Sequence, residues 1–200
     1  MPVGPDAGWE TLMATNRWDP AVVIARVLAT IGAPLGAASV TGAVVIVQLG
    51  LRRWHAAIAV VMSVGLGALG SNTIKLISER PRPIGGVTNL STFSFPSGHT
   101  TWAAAIAGAL VLGLPRMWTW VLASAWITLM GWSRTYLGVH WLSDVAAGAM
   151  LGISIALLVD ASLSLFRRRF IRLRRAPSSS PSRDSEVGPS RQFPIGPLEP

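Results

Sequence analysis

Five apolar segments dominate this chain, and each approaches the length of about 20 residues that an α-helix needs to cross a bilayer. They lie at about 33–51, 56–77, 99–114, 117–133 and 142–166. Half of the 200 residues are apolar, only 13% are charged, and the mean hydropathy is +0.48. This balance excludes a soluble globule and a disordered chain, because a water-facing surface does not tolerate so many apolar residues. The sequence therefore predicts an all-α integral-membrane helical bundle with about five transmembrane helices.

The two ends of the chain differ from this apolar middle. Residues 20–31 form a shorter apolar stretch that cannot span, and we expect an N-terminal interfacial helix there. Residues 1–18 lack the apolar run of a secretory signal and are expected to be retained as an N-terminal segment. We expect the membrane domain to cover 19–168, and the basic, Pro- and Ser-rich stretch 169–200 to be a disordered tail.

The number and placement of charged residues indicate which kind of molecule the protein binds. The chain has 17 basic and 9 acidic residues and no cysteine. The absence of cysteine excludes disulfides, thiolate zinc sites and cysteine nucleophiles. Six arginines fall between Arg167 and Arg175, directly after the last apolar segment, which is typical of a cluster that flanks a membrane span. We therefore expect membrane lipids as partners and no nucleic acid.

The distribution of basic residues also predicts an orientation. If the five segments span, nine basic residues lie on one face of the membrane and six on the other. The positive-inside rule places the face with nine, which includes the arginine cluster, in the cytoplasm. The sequence thus predicts a multi-pass protein of the cytoplasmic membrane. The polar loop 78–98 would face the extracytoplasmic side, and the C-terminal tail would be cytoplasmic.

Cationic and imidazole side chains gather near the outward face of this topology. They are Lys75, Arg82, His99, Arg134 and His140. Such groups are costly at membrane depth unless they line a polar cavity and meet a partner, so the cluster marks a functional site. Because cations are in excess, the ligand is expected to be an anion. The fork of an arginine and the point charge of a lysine favour phosphate over a lone carboxylate.

Local spacing adds detail to this site. His140 and Asp144 are four residues apart where the last apolar helix starts, so they share a face and the carboxylate can accept a proton from one ring nitrogen. The other nitrogen is then available as a nucleophile or a base. The segment Pro96–His99 directly precedes a helix, and its glycine lets backbone amides approach an anion closely. Ser97 offers a hydroxyl donor.

Three strings in this region resemble the signature motifs of the type 2 phosphatidic acid phosphatase (PAP2) superfamily. They are KLISERPRP at 75–83, PSGH at 96–99 and SRTYLGVHWLSD at 133–144, which correspond to K-x6-RP, PSGH and SR-x5-H-x3-D. All eleven specified positions match in order, whereas any one motif alone would be a weak signal. Glu79 and Arg80 lie outside the fixed positions, and we interpret them as local charges.

The resemblance implies a helical bundle with the core shared by these phosphatases and the vanadate-dependent haloperoxidases. It also implies a mechanism without a metal or another cofactor. His140 would attack phosphorus and form a phosphohistidine, Asp144 would orient its ring, and His99 would protonate the leaving oxygen and then activate water. The groups implied to bind the phosphoryl oxygens are Lys75, Arg82, Ser97, Gly98 and Arg134.

The substrate implied by this family is a lipid phosphate or diphosphate. An outward-facing site favours polyprenyl diphosphate, such as the undecaprenyl or decaprenyl carrier lipid, and phosphatidylglycerophosphate or phosphatidate is the alternative. A second hypothesis is a transferase that passes the head-group phosphoryl to another acceptor. A vanadate-dependent haloperoxidase would share the motifs, but the apolar segments count against a soluble enzyme. A lipid-binding protein with a relic site is the non-enzymatic alternative.

Overall fold

The part of the chain that the structure describes contains seven α-helices. The computed structural model describes residues 4–87 and 92–175, with side chains described as far as Arg169. The helices are α1 (Pro5–Thr15), α2 (Asp19–Gly32), α3 (Pro34–Gly50), α4 (Trp54–Ser78), α5 (Gly98–Gly113), α6 (Met117–Tyr136) and α7 (Leu142–Arg175). Since these ranges contain no strand, the predicted all-α class is confirmed.

The number of membrane-spanning helices differs from the prediction. Within the described residues, only α4 and the Leu142–Arg169 part of α7 are individually long and apolar enough to cross a bilayer. Helices α2 and α3 meet the same criterion as a pair, but they join at a bend of 67°. Length and composition therefore support two spans, or three if the bent pair counts as one. The predicted number of about five is not confirmed.

The position of α5 explains why apolar length alone overestimates this number. The helix has 16 residues, and residues 100–107 are all buried because α4, α6 and α7 surround it. A helix that is enclosed by protein packs its sides against neighbouring helices and needs no long lipid-facing run. Helix α6 is long enough, but its four tryptophans and Arg134 reduce its hydropathy.

Two glycines of α7 let it lie directly against α5. A Cβ at Gly148 would come within 2.6 Å of the Ser97 carbonyl oxygen, and a Cβ at Gly152 would overlap the carbonyl oxygen of Thr101. The small residues thus permit a backbone contact that any side chain would prevent. This contact fixes the start of α7 beside the start of α5, where the motif residues lie.

The outer surface of the bundle is apolar. Ile46, Leu122, Leu158 and Phe166 are each at least 60% exposed. A soluble monomer rarely exposes so many large apolar side chains, whereas a bilayer solvates them. The exposed surface therefore agrees with a membrane protein.

The ends of the chain contain more helix than the sequence predicts. A helix is present where one was expected at 20–31, as α2, and its interfacial position stays a prediction. The segment 1–18 also contains α1. Pro5 at the first helical position and Asp6 in the first turn are ordinary helix-start residues. Helix α7 continues into the expected tail as far as Arg175. Residues 176–200, where most of that tail falls, lie outside the described residues.

Candidate active site

The motif residues meet at one end of the bundle. Helices α4 and α6 end there, and α5 and α7 begin there, because consecutive helices run in opposite directions. Lys75 and Arg134 lie in the last turns of α4 and α6, while Gly98 and Asp144 lie in the first turns of α5 and α7. Arg82 and His140 come from the connections that precede α5 and α7. All eight residues expected at the site are therefore brought to the same region.

His140 and Asp144 face each other as the four-residue spacing predicts, although His140 precedes α7 instead of lying on it. Nδ1 of His140 is 3.4 Å from Oδ2 of Asp144, a close contact whose geometry falls short of a hydrogen bond. Asp144 is fully buried, and its Oδ2 accepts the backbone N–H of Trp141 at 2.9 Å. The carboxylate is thus held from within its own turn.

Arg82 approaches the other ring nitrogen of His140. Nη1 of Arg82 is 3.1 Å from Nε2 of His140 and 2.6 Å from the carbonyl oxygen of Val139. A guanidinium can only donate hydrogen bonds, so Nε2 accepts, and the ring proton is assigned to Nδ1 beside Asp144. The lone pair of Nε2 therefore points toward the cationic groups. This is the tautomer that an imidazole nucleophile requires.

The environment of His140 keeps its imidazole neutral. The ring is buried, and its pKa is lowered from 6.5 to about 4, chiefly by this burial. Within that net shift, contact with Asp144 raises the pKa, while the charges of Arg82, Arg134 and Lys75 add to the lowering. Because burial and the three cations prevail, His140 carries no charge at neutral pH and its lone pair is free to bond.

Lys75 and Ser97 frame the opposite side of the site. Nζ of Lys75 donates to the carbonyl oxygen of Phe93 at 3.0 Å, which ties the 79–97 connection to the end of α4. The hydroxyl of Ser97 accepts a hydrogen bond from Thr100, so its own proton is free to donate. No side chain among the described residues caps the start of α5. Its first amides, including that of Gly98, are therefore available to an anion.

Arg134 is the most enclosed cation of the group. Its side chain comes from the last turn of α6 and is only 4% exposed. Its Nε is buried and has no hydrogen-bond partner among the described residues. An unpaired buried guanidinium donor is costly, and an anion bound in the site is the group that would satisfy it.

His99 is oriented by α2. Its Nε2 lies 3.0 Å from the carbonyl oxygen of Ala29, which is free because the N–H of Ala33 bonds to Thr30 where α2 ends. A Cβ at Gly32 would overlap Cδ2 of His99, so the glycine makes room for the ring. A carbonyl oxygen only accepts, and the Nε2 proton is therefore assigned to this bond. Nδ1 is then the nitrogen that can act on a substrate.

Three contributors to the site were not predicted. Arg80 was interpreted as a local charge, but its Nη1 donates to Oδ1 of Asp144 at 2.6 Å, so that interpretation is wrong. Asp6 of α1 pairs with the same guanidinium at 2.8 Å. The third contributor is the main-chain carbonyl of Ala29. Only Arg80 carried a signal in the sequence, because it is a cation inside the K-x6-RP string.

Comparisons with known proteins identify the family of the chain. The model of the PAP2 superfamily matches residues 56–168. The chain is 36% identical to phosphatidylglycerophosphatase B of Bacillus subtilis over 118 residues, which are 52% of this chain and 58% of the relative. It is 42% identical to the undecaprenyl-diphosphatase of Sulfolobus acidocaldarius over 66 residues, which are 33% of this chain and 32% of the relative. The chain thus covers less than two thirds of the length of either relative.

A solved structure resembles most of the bundle. The crystal structure of a transmembrane PAP2-type phosphatidylglycerolphosphate phosphatase from Bacillus subtilis superposes with a TM-score of 0.71 at 26% identity. The superposition covers 82% of this chain and 85% of that structure, so it includes helices outside the three motifs. The family model itself spans more than half of the chain. The protein therefore belongs to the PAP2 superfamily.

Proposed function

We propose that the protein is a membrane-bound phosphatase that releases phosphate from a lipid phosphate or diphosphate through a phosphohistidine on His140. One observation carries this proposal. The buried imidazole of His140 directs Nε2 toward Arg82 at 3.1 Å and Nδ1 toward Asp144 at 3.4 Å. A neutral nucleophile thus faces a group of cations, which is the arrangement that attack on a phosphoryl group requires.

In the first step, Nε2 of His140 bonds to phosphorus as the bond to the leaving oxygen breaks. That oxygen belongs to a lipid alcohol or, in a diphosphate, to the lipid monophosphate, and it takes a proton from Nδ1 of His99, which enters this step as the imidazolium. In the second step, His99 accepts a proton from water, the water oxygen bonds to phosphorus, and the N–P bond breaks. Inorganic phosphate leaves, and His140 returns to its neutral form.

The cations and donors around His140 would bind the phosphoryl oxygens in both steps. Lys75, Arg82 and Arg134 supply positive charge, while the Ser97 hydroxyl and the Gly98 amide supply hydrogen bonds. These groups stabilise charge without a metal ion, so a chelator is expected to leave the activity unchanged. One histidine must be neutral and the other protonated, so we expect the rate to fall on both sides of a pH optimum.

An apolar cavity supports a substrate with a long tail. It has a volume of about 400 Å³ and lies between α3, α5 and α6. Its lining includes Val44, Ile106, Leu110, Leu114, Trp118 and Trp126. Ile106 is seven residues from His99 along α5, a distance of about 10 Å at the helical rise. A head group at the site could therefore extend its hydrocarbon tail along the bundle.

We favour polyprenyl diphosphate as the substrate, because an extracytoplasmic site suits a carrier lipid that is recycled there. Phosphatidylglycerophosphate is the second candidate. It is favoured by the superposition on the Bacillus subtilis phosphatidylglycerolphosphate phosphatase, which covers 82% of this chain. The two head groups differ in the leaving group, which is a lipid monophosphate in one case and a glycerol oxygen in the other.

The test is phosphate release by the purified protein across undecaprenyl diphosphate, farnesyl diphosphate, phosphatidylglycerophosphate and phosphatidate. The proposal predicts release without any added acceptor and in the presence of chelator. Release only after an alcohol acceptor is added would favour the head-group transferase. No release from any of the four lipids would contradict a lipid phosphatase.

We also propose that the site faces the extracytoplasmic side and that the C-terminal tail is cytoplasmic. The chain has no cysteine, so single cysteines can report the topology. Ile84 is 96% exposed beside the site, and Arg53 lies at the opposite end of the bundle between α3 and α4. A membrane-impermeant maleimide applied to intact cells should label Ile84→Cys and spare Arg53→Cys. The reverse pattern would invert the orientation.

A further inference from the structure

Arg80 joins two acidic side chains that lie far apart in the sequence. Its Nη1 donates to Oδ1 of Asp144 at 2.6 Å and to Oγ of Ser143 at 2.7 Å. Its Nη2 donates to Oδ2 of Asp6 at 2.8 Å. The guanidinium also lies 5.7 Å from the centre of the Trp141 ring. Nη1 and Nη2 of Arg80 therefore each bind a different carboxylate.

Asp6 completes the same network from α1. Its Oδ1 accepts the backbone N–H of Ser143 at 2.9 Å, and its Oδ2 accepts the Ser143 hydroxyl. The Ser143 amide lies in the first turn of α7, where no intrahelical acceptor exists. Asp6 thus caps α7 from another helix. Its side chain is 13% exposed. Burial alone would raise its pKa, but the bonds from Ser143 and the charge of Arg80 prevail and lower it.

This network fixes the orientation of the Asp144 carboxylate. Oδ2 is held by the backbone N–H of Trp141, and Oδ1 is held by Arg80. With both oxygens held, the group cannot rotate, and Oδ2 stays on the side of His140 Nδ1. Without Arg80, Oδ1 would lose its donor inside a fully buried pocket. A buried carboxylate in that position would turn to find another donor and move away from the ring.

We propose that Asp6 and Arg80 are positioning residues for the reaction, which hold Asp144 so that it keeps the His140 proton on Nδ1. This inference rests on the proposed role of His140 as the nucleophile. It makes α1 a part of the active site, although α1 lies outside the residues that the family model matches. The described side-chain hydrogen bonds of both residues go to Ser143, Asp144 and each other and to none of the phosphoryl-binding groups, so the network should affect turnover and leave substrate binding unchanged.

The alternative is that Asp6 and Arg80 only attach α1 to the bundle. The two roles differ in what they change at His140. A positioning role predicts that the imidazole loses its single tautomer when the network is broken. An attachment role predicts a less stable protein in which the His140 ring keeps its tautomer. The ¹⁵N chemical shifts of His140 report this difference directly, and they require no activity.

The experiment uses the full-length protein in detergent micelles, with undecaprenyl diphosphate and phosphatidate as probes. The variants are Arg80→Met, Arg80→Lys and Asp6→Asn. The control is Glu10→Gln, which also lies in α1, because Glu10 forms no ion pair among the described residues. We expect Arg80→Met to lower kcat about 10- to 100-fold, as loss of a group that orients a catalytic side chain does, with KM changed less than about twofold.

Arg80→Lys should restore part of this loss, since an ammonium keeps the charge but cannot hold both carboxylates at once. Asp6→Asn keeps an acceptor for Ser143 and removes the charge that faces Arg80. We therefore expect a smaller loss of kcat, of about 3- to 10-fold. In both Arg80→Met and Asp6→Asn, the ¹⁵N shifts of His140 should indicate a mixture of tautomers, while Glu10→Gln should match the wild type.

Two results would overturn the inference. One is a wild-type kcat in both Arg80→Met and Asp6→Asn. The other is a reduced kcat with an unchanged His140 spectrum, which would indicate attachment of α1 alone. If Arg80→Met does not fold, Arg80→Lys and Asp6→Asn decide the question. An active His140→Ala would refute the proposed function itself, whereas an inactive His140→Ala beside a fully active Arg80→Met would refute only the positioning network.

Discussion

The three N-terminal helices and the four that follow them contribute different things to the site. All eleven motif positions lie on α4–α7 and their connections, which is also where the family model matches. The orientation of two reacting groups comes from elsewhere. The Ala29 carbonyl of α2 holds the His99 ring, and Asp6 of α1 acts on Asp144 through Arg80. In the proposed mechanism, the motifs therefore supply the reacting groups, and contacts from α1 and α2 hold two of these groups in place.

Helix α3 differs from α1 and α2 in this respect. Its described side-chain hydrogen bond to the motif half runs from Nε1 of Trp102 to the Thr41 hydroxyl at 3.1 Å and involves none of the proposed catalytic residues. It packs on α4, as does the apolar core around Trp102. The N-terminal half thus contains both positioning contacts and contacts that only stabilise. Substitutions can separate the two kinds.

The largest effect is expected in the motif half itself. His140→Ala removes the proposed nucleophile and should lower phosphate release by about 10⁴-fold or more, because no neighbouring side chain can take its place. His55→Ala is the matched control, since His55 lies at the opposite end of α4. Its activity should equal that of the wild type. The detergent-extracted His140→Ala protein should remain folded, and retained phosphate release would remove the covalent step.

A substitution in the N-terminal half should come next in size. Gly32→Ala places a Cβ against Cδ2 of His99 and should displace the ring from the Ala29 carbonyl. A shift of this kind in a catalytic group is expected to lower kcat about 10- to 100-fold. The measurement is phosphate release at saturating lipid.

Gly42→Ala in α3 is the control for that substitution, because a Cβ at Gly42 meets no atom within 4 Å. It exchanges glycine for alanine at a half-buried position inside a helix and should stabilise the protein by up to about 1 kcal/mol without changing kcat. If both variants lose activity equally, the effect of Gly32→Ala comes from helix chemistry and does not come from His99.

The sequence predicts the helices well because lipid and a protein interior both select apolar runs. It overestimates the number of membrane-spanning helices for the same reason, since an apolar run such as 99–114 has the same composition whether lipid or protein surrounds it. The structure shows that α5 is enclosed by three helices. Helix α1 was missed because only Pro5 and Asp6 mark its start, and no apolar run follows them.

The sequence predicts those parts of the site in which the reacting side chains are close together along the chain. His140 and Asp144 are four residues apart, and their contact follows from that spacing. Arg80 and Asp6 are separated by 74 positions, and their pairing depends on how α1 folds over the site. The contribution of Ala29 is a backbone carbonyl that a helix end leaves free. The Arg80–Asp6 pair and the contact with the Ala29 carbonyl cannot be inferred from residue types, because both depend on how the helices pack.

The pH dependence of stability tests whether the buried imidazole of His140, in the motif half, is neutral. Burial lowers the pKa of His140 to about 4, whereas in the unfolded chain it lies near 6.5. Between pH 4 and 6.5, His140 binds a proton in the unfolded chain but stays neutral in the folded protein. The free energy of unfolding should therefore fall as the pH decreases from 6.5 to 4, by at most about 1.4 kcal/mol per pH unit. His140→Gln has no such proton to bind. Its thermal unfolding in detergent should therefore depend less on pH over this range, and an equal dependence would contradict the buried neutral imidazole.

The smallest effect is expected where α3 only stabilises the bundle. Thr41→Val keeps the shape of the side chain but removes the acceptor of the Trp102 indole N–H, which is buried. Leaving that donor unpaired should cost about 1–2 kcal/mol of unfolding free energy, measured by denaturation in detergent. Since the described hydrogen bond of Thr41 goes to Trp102 and to no residue of the proposed site, kcat should stay within about twofold of the wild type. Thr41→Ser retains the hydroxyl and should recover most of the stability. If Thr41→Val lowered kcat as much as Gly32→Ala, α3 would also be a positioning element, and the division between the helices that orient and the helix that only stabilises would not hold.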